Sequence, residues 1–406
     1  MKIQIIPHQL QGIVAAPPSK SMAHRLLICG GLAQGKKSVI RGISDSEDVT
    51  ATLRCLSALG ATYEKKGDVV EIVGTDVRNI CPLETLPCNE SGSTLRFFIP
   101  LCLHCDQTIN LSGSKKLLSR PLGIYETICR EQNIFYSHTE DLFSVKGKLA
   151  AGEYKIPGNI SSQFISGLLF ALPLCESDST INIIPPIESR SYLDLTIEAL
   201  SVFGIQIQWL DDKTLFIKGN QQYTPADVCV EGDYSNTAFF DALKLFGNDI
   251  SITGLSEKSK QGDKAYLTFF ETLSKGTPTI HIGDCPDLGP ILMAVAAAKN
   301  GAVFCGTKRL KIKESDRGAA MAEELAKFGV SVKVHDDSIV VYPMKFHAPT
   351  EILYGHNDHR IVMALSLLCS VVGGTIDGAE AVAKSYPDYF EVIQSLGIEV
   401  KCSDIQ

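Results

Sequence analysis

The chain has 406 residues, 45% of them apolar and 21% charged, with a formal net charge of −8. That length exceeds one ordinary core and points to two domains, while the composition excludes an intrinsically disordered chain. The acidic surplus argues against nucleic-acid binding, which needs extra cations along the phosphate backbone; small anions remain possible ligands wherever cations are gathered at one place.

In chain order, residues 1–7 (MKIQIIP) alternate polar and apolar side chains before a proline, and read as a strand rather than a signal peptide. Residues 17–25 (PPSKSMAHR) follow and lead into the apolar LLICGGLA. Residues 53–74 (LRCLSALGATYEKKGDVVEIVG) then show a helix, a glycine, a strand, a polar turn and a returning strand. The same pattern recurs at residues 196–219 and 321–343, and in weaker form at 125–147, around 269–283 and at 389–402. Gly60, Gly204, Gly329 and Gly397 fall where a left-handed cap closes each helix. Leu200 with Phe203, and Leu325 with Phe328, mark the buried helical face. Six such units predict two domains of three units each, in an α/β (α+β) arrangement. The polar stretch at residues 220–226 (NQQYTPA) marks the boundary between them.

Between these copies lie short segments that open apolar helices. Residues 17–25, 90–96 (ESGSTLR) and 157–163 (PGNISSQ) each bring Ser or Gly, and in two cases a cation, to a helix start. The unpaired N–H groups and partial positive charge there favour anions. In the second half, residues 311–317 (KIKESDR), 357–360 (NDHR) and 383–390 (AKSYPDYF) alternate cations with carboxylates, a pattern suited to proton transfer beside a bound anion. Asp287, in CPDLGP, stands ahead of ILMAVAAA and reads either as a helix cap or as an acid–base group. The thirteen cysteines are spread through apolar runs; Cys102 and Cys105 lack the second pair that a zinc site requires. No metal and no cofactor is expected. A reducing cytoplasm, no membrane span, and a monomer without an exposed apolar seam complete the expectation.

The segments PSKSMAHR, ESGSTLR, SRPLG, ISSQF, PDLGP, IKESDR, NDHR and AKSYPDYF, running from residue 17 to 390, resemble the successive motifs of the EPSP synthase family of enolpyruvyl transferases. This resemblance implies a two-domain, inverse α/β barrel-like fold with three βαβαββ units per domain, hinged by two crossovers and closing over substrates. It places residues 13–223 in the first domain, and residues 1–12 with 224–406 in the second. The implied reaction joins phosphoenolpyruvate to the 5-hydroxyl of shikimate-3-phosphate and releases phosphate, a step toward chorismate and the aromatic amino acids. By the same resemblance Ser161, Ser162 and Ser189 hold the acceptor's phosphate and Arg25 its carboxylate, with Ser21, Gln163 and Tyr192 nearby. Lys20, Gly92, Arg96, Arg120 and Gln163 hold phosphoenolpyruvate, joined by Arg317, Arg360 and Lys384, with Arg309 and Lys313 also at the site. Asp287 takes the hydroxyl proton, and either Glu314 or Lys20 protonates the methylene carbon. His359 is read either as a partner of phosphoenolpyruvate or as a histidine tying its helix start.

Arg309 and Glu90 stand where many members carry Asn, and residues 231–237 match the family's usual Gly-Asp segment only in part. A sister enzyme transfers the same group to a UDP-amino sugar and uses a loop cysteine; residues 113–121 contain none. The family is the target of glyphosate, whose effect depends on the room around Gly92.

Overall fold

Each strong copy of the repeat closes the same way. In the computed structural model, which describes residues 1–35, 37–79 and 84–403, Gly60, Gly204 and Gly329 have φ of 98°, 81° and 82°. The next N–H reaches back to the helix: Ala61 N to Leu56 O at 3.0 Å, Ile205 N to Leu200 O at 3.0 Å, and Val330 N to Leu325 O at 3.1 Å. This is the bond of a left-handed helix stop, and it aims the chain into the hairpin. The copy at 125–147 looks weak in sequence because Asn133 replaces glycine. Asn133 nonetheless adopts φ 56°, and Ile134 N bonds Cys129 O at 2.8 Å.

The expected copy around 269–283 is corrected by the structure. Gly276 has an extended φ of 173°, no reverse bond forms, and Thr279–His281 pairs in parallel with Ala302–Cys305 instead of entering a hairpin. The copy at 389–402 is completed from elsewhere: its strand Glu399–Ser403 pairs with the N-terminal strand Lys2–Ile6, which takes the place of the returning strand.

The chain divides into two compact units, Pro18–Glu231 (the first unit) and Met1–Pro17 with Gly232–Gln406 (the second). The first holds three four-stranded sheets built to one plan. In each, a short strand runs parallel to a second strand, which pairs antiparallel with the repeat's hairpin; Glu153–Pro157, Ser179–Ile184, Thr214–Ile217 and Ile207–Trp209 form one example. The second unit holds two such sheets and a third of only two strands, Gln11–Ala15 parallel to Asp249–Thr253. The missing hairpin after residue 276 accounts for that shorter sheet.

A parallel pair needs a crossover, here a helix. Those helices are buried almost whole: Gly92–Leu101 is covered at every residue except Ser93, and Gly289–Ala298 at every residue except Ala298. The helices leading into hairpins are amphipathic, as in Arg317–Lys327, where Met321 and Leu325 face inward. Each unit has its own apolar core. Among the described residues no helix is long and apolar enough to cross a membrane, and the twelve described cysteines are all unpaired.

Candidate active site

The buried helices of the first unit start where the anion-favouring segments stand. Ser19 caps Lys20–Leu32, Ser91 caps Gly92–Leu101 and Ser161 caps Ser162–Ala171, each through its side-chain oxygen. Side-chain bonds gather the last two of these starts. Gln163 donates to Ser93 Oγ at 2.9 Å and accepts from Arg96 Nη1 at 2.8 Å. A Cβ placed on Gly92 would lie 2.9 Å from Arg120 Nη1, 3.1 Å from Arg96 Nη1 and 3.7 Å from Gln163 Oε1. Glycine is therefore what lets two guanidinium groups close over this helix start.

Lys20 is held by Asp48, Nζ to Oδ2 at 2.8 Å, from the start of the neighbouring helix Glu47–Ala58. One turn along, Arg25 is buried against neutral groups. Its Nε donates to Thr196 Oγ1 at 2.8 Å, its Nη1 to the Ser21 carbonyl at 2.6 Å and its Nη2 to the Tyr192 carbonyl at 3.1 Å, with the Phe97 ring beneath it. Burial draws this guanidinium down to about 10, the mark of a charge kept without a carboxylate partner. Ser189 and Tyr192 open the helix Arg190–Val202, where Ser189 is buried in a left-handed conformation, φ 56°. The parallel strands before Ser161 and Ser189 end side by side, and Glu188 N donates to Gly158 O at 3.1 Å. The three serines thus stand at two helix starts that follow one end of that sheet.

The second unit gathers a different set around Arg317, a fully buried side chain. Its Nη1 bonds Asp287 Oδ1 at 2.7 Å, its Nη2 bonds Glu314 Oε2 at 2.7 Å, and its Nε bonds Asp358 Oδ2 at 2.8 Å. Ser315 adds a hydroxyl to Asp358 at 3.0 Å. Lys313 Nζ lies 2.9 Å from Asp287 Oδ1, and Arg360 Nη2 lies 3.7 Å from its Oδ2. Burial works against ionisation of Asp287, but Lys313, Arg360 and Arg317 overcome it and hold the carboxyl well below the usual range. The Lys313 ammonium is lowered by burial against the pull of Asp287, while Arg317 is raised by its three carboxylates despite burial.

The helix Gly289–Ala298 is entered through Leu288 with no side-chain cap, so the carboxylate of Asp287, one residue earlier, faces cations. Arg360 is nearly covered, and its Nη1 has no partner among the described residues. His359, also buried, has Nδ1 at 3.9 Å from Asp358 Oδ1. Lys384 Nζ donates to the Asn357 carbonyl at 2.7 Å, and Arg309 Nη1 to the Gly283 carbonyl at 3.3 Å.

Two groups of the candidate site escaped sequence reading. Asp48 looks like an ordinary residue in the first turn of a helix. Asp358 sat inside a quoted motif, yet nothing local marks its bond to Arg317, 41 residues away. Arg317, expected as an anion ligand, has most of its N–H groups on carboxylates. Among the described residues one further group carries a metal-like donor set, Glu323, Glu324 and His356. There Lys327 already neutralises Glu324, bonding both carboxylate oxygens at 2.9 Å.

Comparison with known proteins places the chain in a family. The family profile described as EPSP synthase (3-phosphoshikimate 1-carboxyvinyltransferase) matches residues 5–393. A 3-phosphoshikimate 1-carboxyvinyltransferase of Clostridium perfringens is 39% identical, with 98% of each chain covered. One from Clostridioides difficile is 40% identical, with 97% of each covered. Among solved structures, EPSP synthase from Acinetobacter baumannii superposes with a TM-score of 0.81 at 21% identity, covering 100% of both chains. The enolpyruvyl transferase NikO from Streptomyces tendae gives 0.80 at 15% identity, covering 98% of both. This chain belongs to the EPSP synthase family and has the two-domain enolpyruvyl transferase fold.

Proposed function

We propose that this enzyme transfers the enolpyruvyl group of phosphoenolpyruvate to the 5-hydroxyl of shikimate-3-phosphate, giving 5-enolpyruvylshikimate-3-phosphate and inorganic phosphate. The observation that carries the reading is the Arg317 cluster, which fixes two acid–base carboxylates, Asp287 and Glu314, on one guanidinium. Family membership supplies the substrates.

In the first unit Ser161, Ser162 and Ser189 take the acceptor's phosphate and Arg25 its carboxylate, with Ser21, Gln163 and Tyr192 nearby. Arg25 suits this role because its present partners are neutral and leave its charge uncancelled. Lys20, Gly92, Arg96, Arg120 and Gln163 take phosphoenolpyruvate. In the second unit Arg360, whose Nη1 has no partner among the described residues, and Lys384 are anion ligands, whereas Arg317 serves by holding the carboxylates. Arg309, Lys313 and His359 complete the lining.

The chemistry is addition followed by elimination. The 5-hydroxyl oxygen bonds to C2 of phosphoenolpyruvate as Asp287 takes its proton, and Glu314 or Lys20 delivers a proton to C3. The tetrahedral intermediate then loses a methyl proton and its C–O bond to phosphate, restoring the double bond. Asp287 is held ionised and so is ready to accept, but its depressed carboxyl makes it a weak base while the three cations face it alone. Substrate anions that share those cations raise it toward useful basicity. The reaction breaks no P–O bond and asks for no phosphoryl-transfer clamp. We further read the enzyme as a cytoplasmic monomer that binds no nucleic acid.

The test is phosphate release from phosphoenolpyruvate with shikimate-3-phosphate or UDP-N-acetylglucosamine as acceptor. Release only with shikimate-3-phosphate is expected. Release only with the sugar nucleotide, or none with either, would sink the assignment.

A further inference from the structure

We propose that His24 is a positioning residue for the phosphoenolpyruvate half of the site, heading a one-way chain of buried hydrogen bonds that locks the helix carrying Lys20 to the helix carrying Gly92 and Arg96. The inference rests on the substrate reading given above.

The chain runs through four side chains that are all nearly or fully buried: His24, Thr52, Thr94 and Ser91. His24 Nδ1 lies 2.7 Å from Thr52 Oγ1, Thr52 Oγ1 lies 2.8 Å from Thr94 Oγ1, and Thr94 Oγ1 donates to Ser91 Oγ at 2.7 Å. A hydroxyl has one proton to give. Thr94 gives its proton to Ser91, so Thr52 must donate to Thr94. Thr52 then has none left, and His24 Nδ1 must carry the proton that Thr52 accepts. The ring is therefore the Nδ1–H tautomer. Its Nε2 is left with a lone pair that is buried and has no partner among the described residues. A second proton there would find no acceptor and would face Lys20 and Arg25. Burial, then those two cations, hold the ring neutral.

The placement gives the chain its purpose. Lys20 and His24 are four residues apart on one helix, and Asp48 and Thr52 are four apart on the next, so each pair shares a face. Two rungs result: Lys20 to Asp48 at 2.8 Å, and His24 to Thr52 at 2.7 Å. From Thr52 the second rung continues to Ser91, which caps the helix Gly92–Leu101 and also accepts from Thr94 N at 3.2 Å. One face of Glu47–Ala58 thereby sets Lys20 against Gly92 and Arg96. Arg25 is fixed separately, by Thr196 and the Tyr192 carbonyl, so the acceptor's carboxylate site does not depend on this chain.

Three variants test it. Leucine at 24 (His24→Leu) removes the donor, and Thr94→Val removes the middle link without changing volume. In His24→Asn the amide Nδ2 stands in for Nδ1 and still donates to Thr52. Losing one buried bond of this kind is expected to show as about a tenfold effect, near 1.4 kcal/mol. His24→Leu and Thr94→Val should raise KM for phosphoenolpyruvate about tenfold while KM for shikimate-3-phosphate and the pH profile of kcat stay within about twofold. His24→Asn should restore wild-type KM. Fluorescence of Trp209 checks folding, and Thr94→Val carries the test if His24→Leu does not fold. Unchanged KM for phosphoenolpyruvate in the broken variants, or equal damage in His24→Asn and His24→Leu, overturns the proposal. Imidazole nitrogen NMR of the wild type, with His24 assigned by its loss in His24→Asn, must show an Nδ1–H ring that does not titrate from pH 6 to 8. An Nε2–H ring or a titrating one overturns the chain even if the substrate reading holds. A wild type silent toward shikimate-3-phosphate overturns the reading and leaves the tautomer result to judge the chain.

Discussion

Two buried arginines, one in each unit, keep opposite company. In the first, Arg25 is bonded to a hydroxyl and two carbonyls and is drawn down to about 10 by burial. In the second, Arg317 is bonded to three carboxylates and is raised. A guanidinium among neutral groups keeps its charge for an incoming anion. One among carboxylates spends its charge fixing their positions and ionisation. The first arrangement suits anion binding; the second suits proton transfer. An acidic chain can thus serve two anionic substrates, because the cations that matter are distributed by partner rather than by number.

The sharpest way to break this contrast is to remove the proton-transfer groups alone. Asp287→Ala and Glu314→Ala should each lower kcat by about 10²–10⁴-fold with KM values little changed, read from phosphate release. Near-normal turnover in either variant would take that residue out of the chemistry.

Next in size is stability. Arg317→Met leaves three carboxylates without their common partner and should destabilise the second unit by about 3–5 kcal/mol. Arg25→Met leaves only neutral groups bare, and should cost less stability while abolishing acceptor binding. Trp209, the sole tryptophan, lies in the first unit. In urea titrations its fluorescence should therefore stay near wild type for Arg317→Met while circular dichroism shows early loss. Equal destabilisation by the two variants would erase the distinction.

Acid should separate the units as well. His24 and His104, both in the first unit, are kept neutral by burial, His104 down to about 4 and His24 well below 6.5. Because their folded pKa values are depressed, the unfolded chain takes up protons first. First-unit stability is full above about pH 6.5 and falls as pH drops toward the folded values, by about 2 kcal/mol for His104 between pH 6.5 and 5, with His24 acting in the same direction. Asp287 is also depressed, from 3.8, so its contribution persists above about pH 4 and is lost only as pH falls through its folded value. The Trp209 urea midpoint should fall across pH 6.5–5, while the stability gap between wild type and Asp287→Asn stays constant there. A flat Trp209 midpoint would contradict the buried neutral histidines.

The smallest expected effect is at Gly92→Ala. Its Cβ would press on Arg120 and Arg96 at 2.9 and 3.1 Å, so the guanidinium tips must give way by tenths of an ångström. KM for phosphoenolpyruvate should rise about tenfold, near 1.4 kcal/mol, with unfolding unchanged. An unaltered KM would mean that the two arginines do not define that half of the site.

What the sequence determined by itself was the recurring unit and the helix starts. Both are local: a glycine at φ near 80°, an apolar face repeating every three or four residues, and a serine ahead of an apolar run act within one or two turns of chain. Asn133 closes its helix by the same local stop as the glycines; where the signal was missing, as at the extended Gly276, tertiary pairing decided the outcome. It gave the short two-stranded sheet at Gln11–Ala15 and brought Lys2–Ile6 to complete the sheet of Glu399–Ser403. The chemical motifs IKESDR, PDLGP and NDHR were equally legible as lists of residues. Who holds whom within them was not. Arg317 reaches Asp287 across 30 residues and Asp358 across 41, Lys20 meets Asp48 across 28, and Arg25 meets Thr196 across 171. No periodicity spans such separations. They are fixed only when sheets close around apolar helices and bring the helix starts together, and it is that closure that decides which cations meet neutral groups and which ones hold carboxylates.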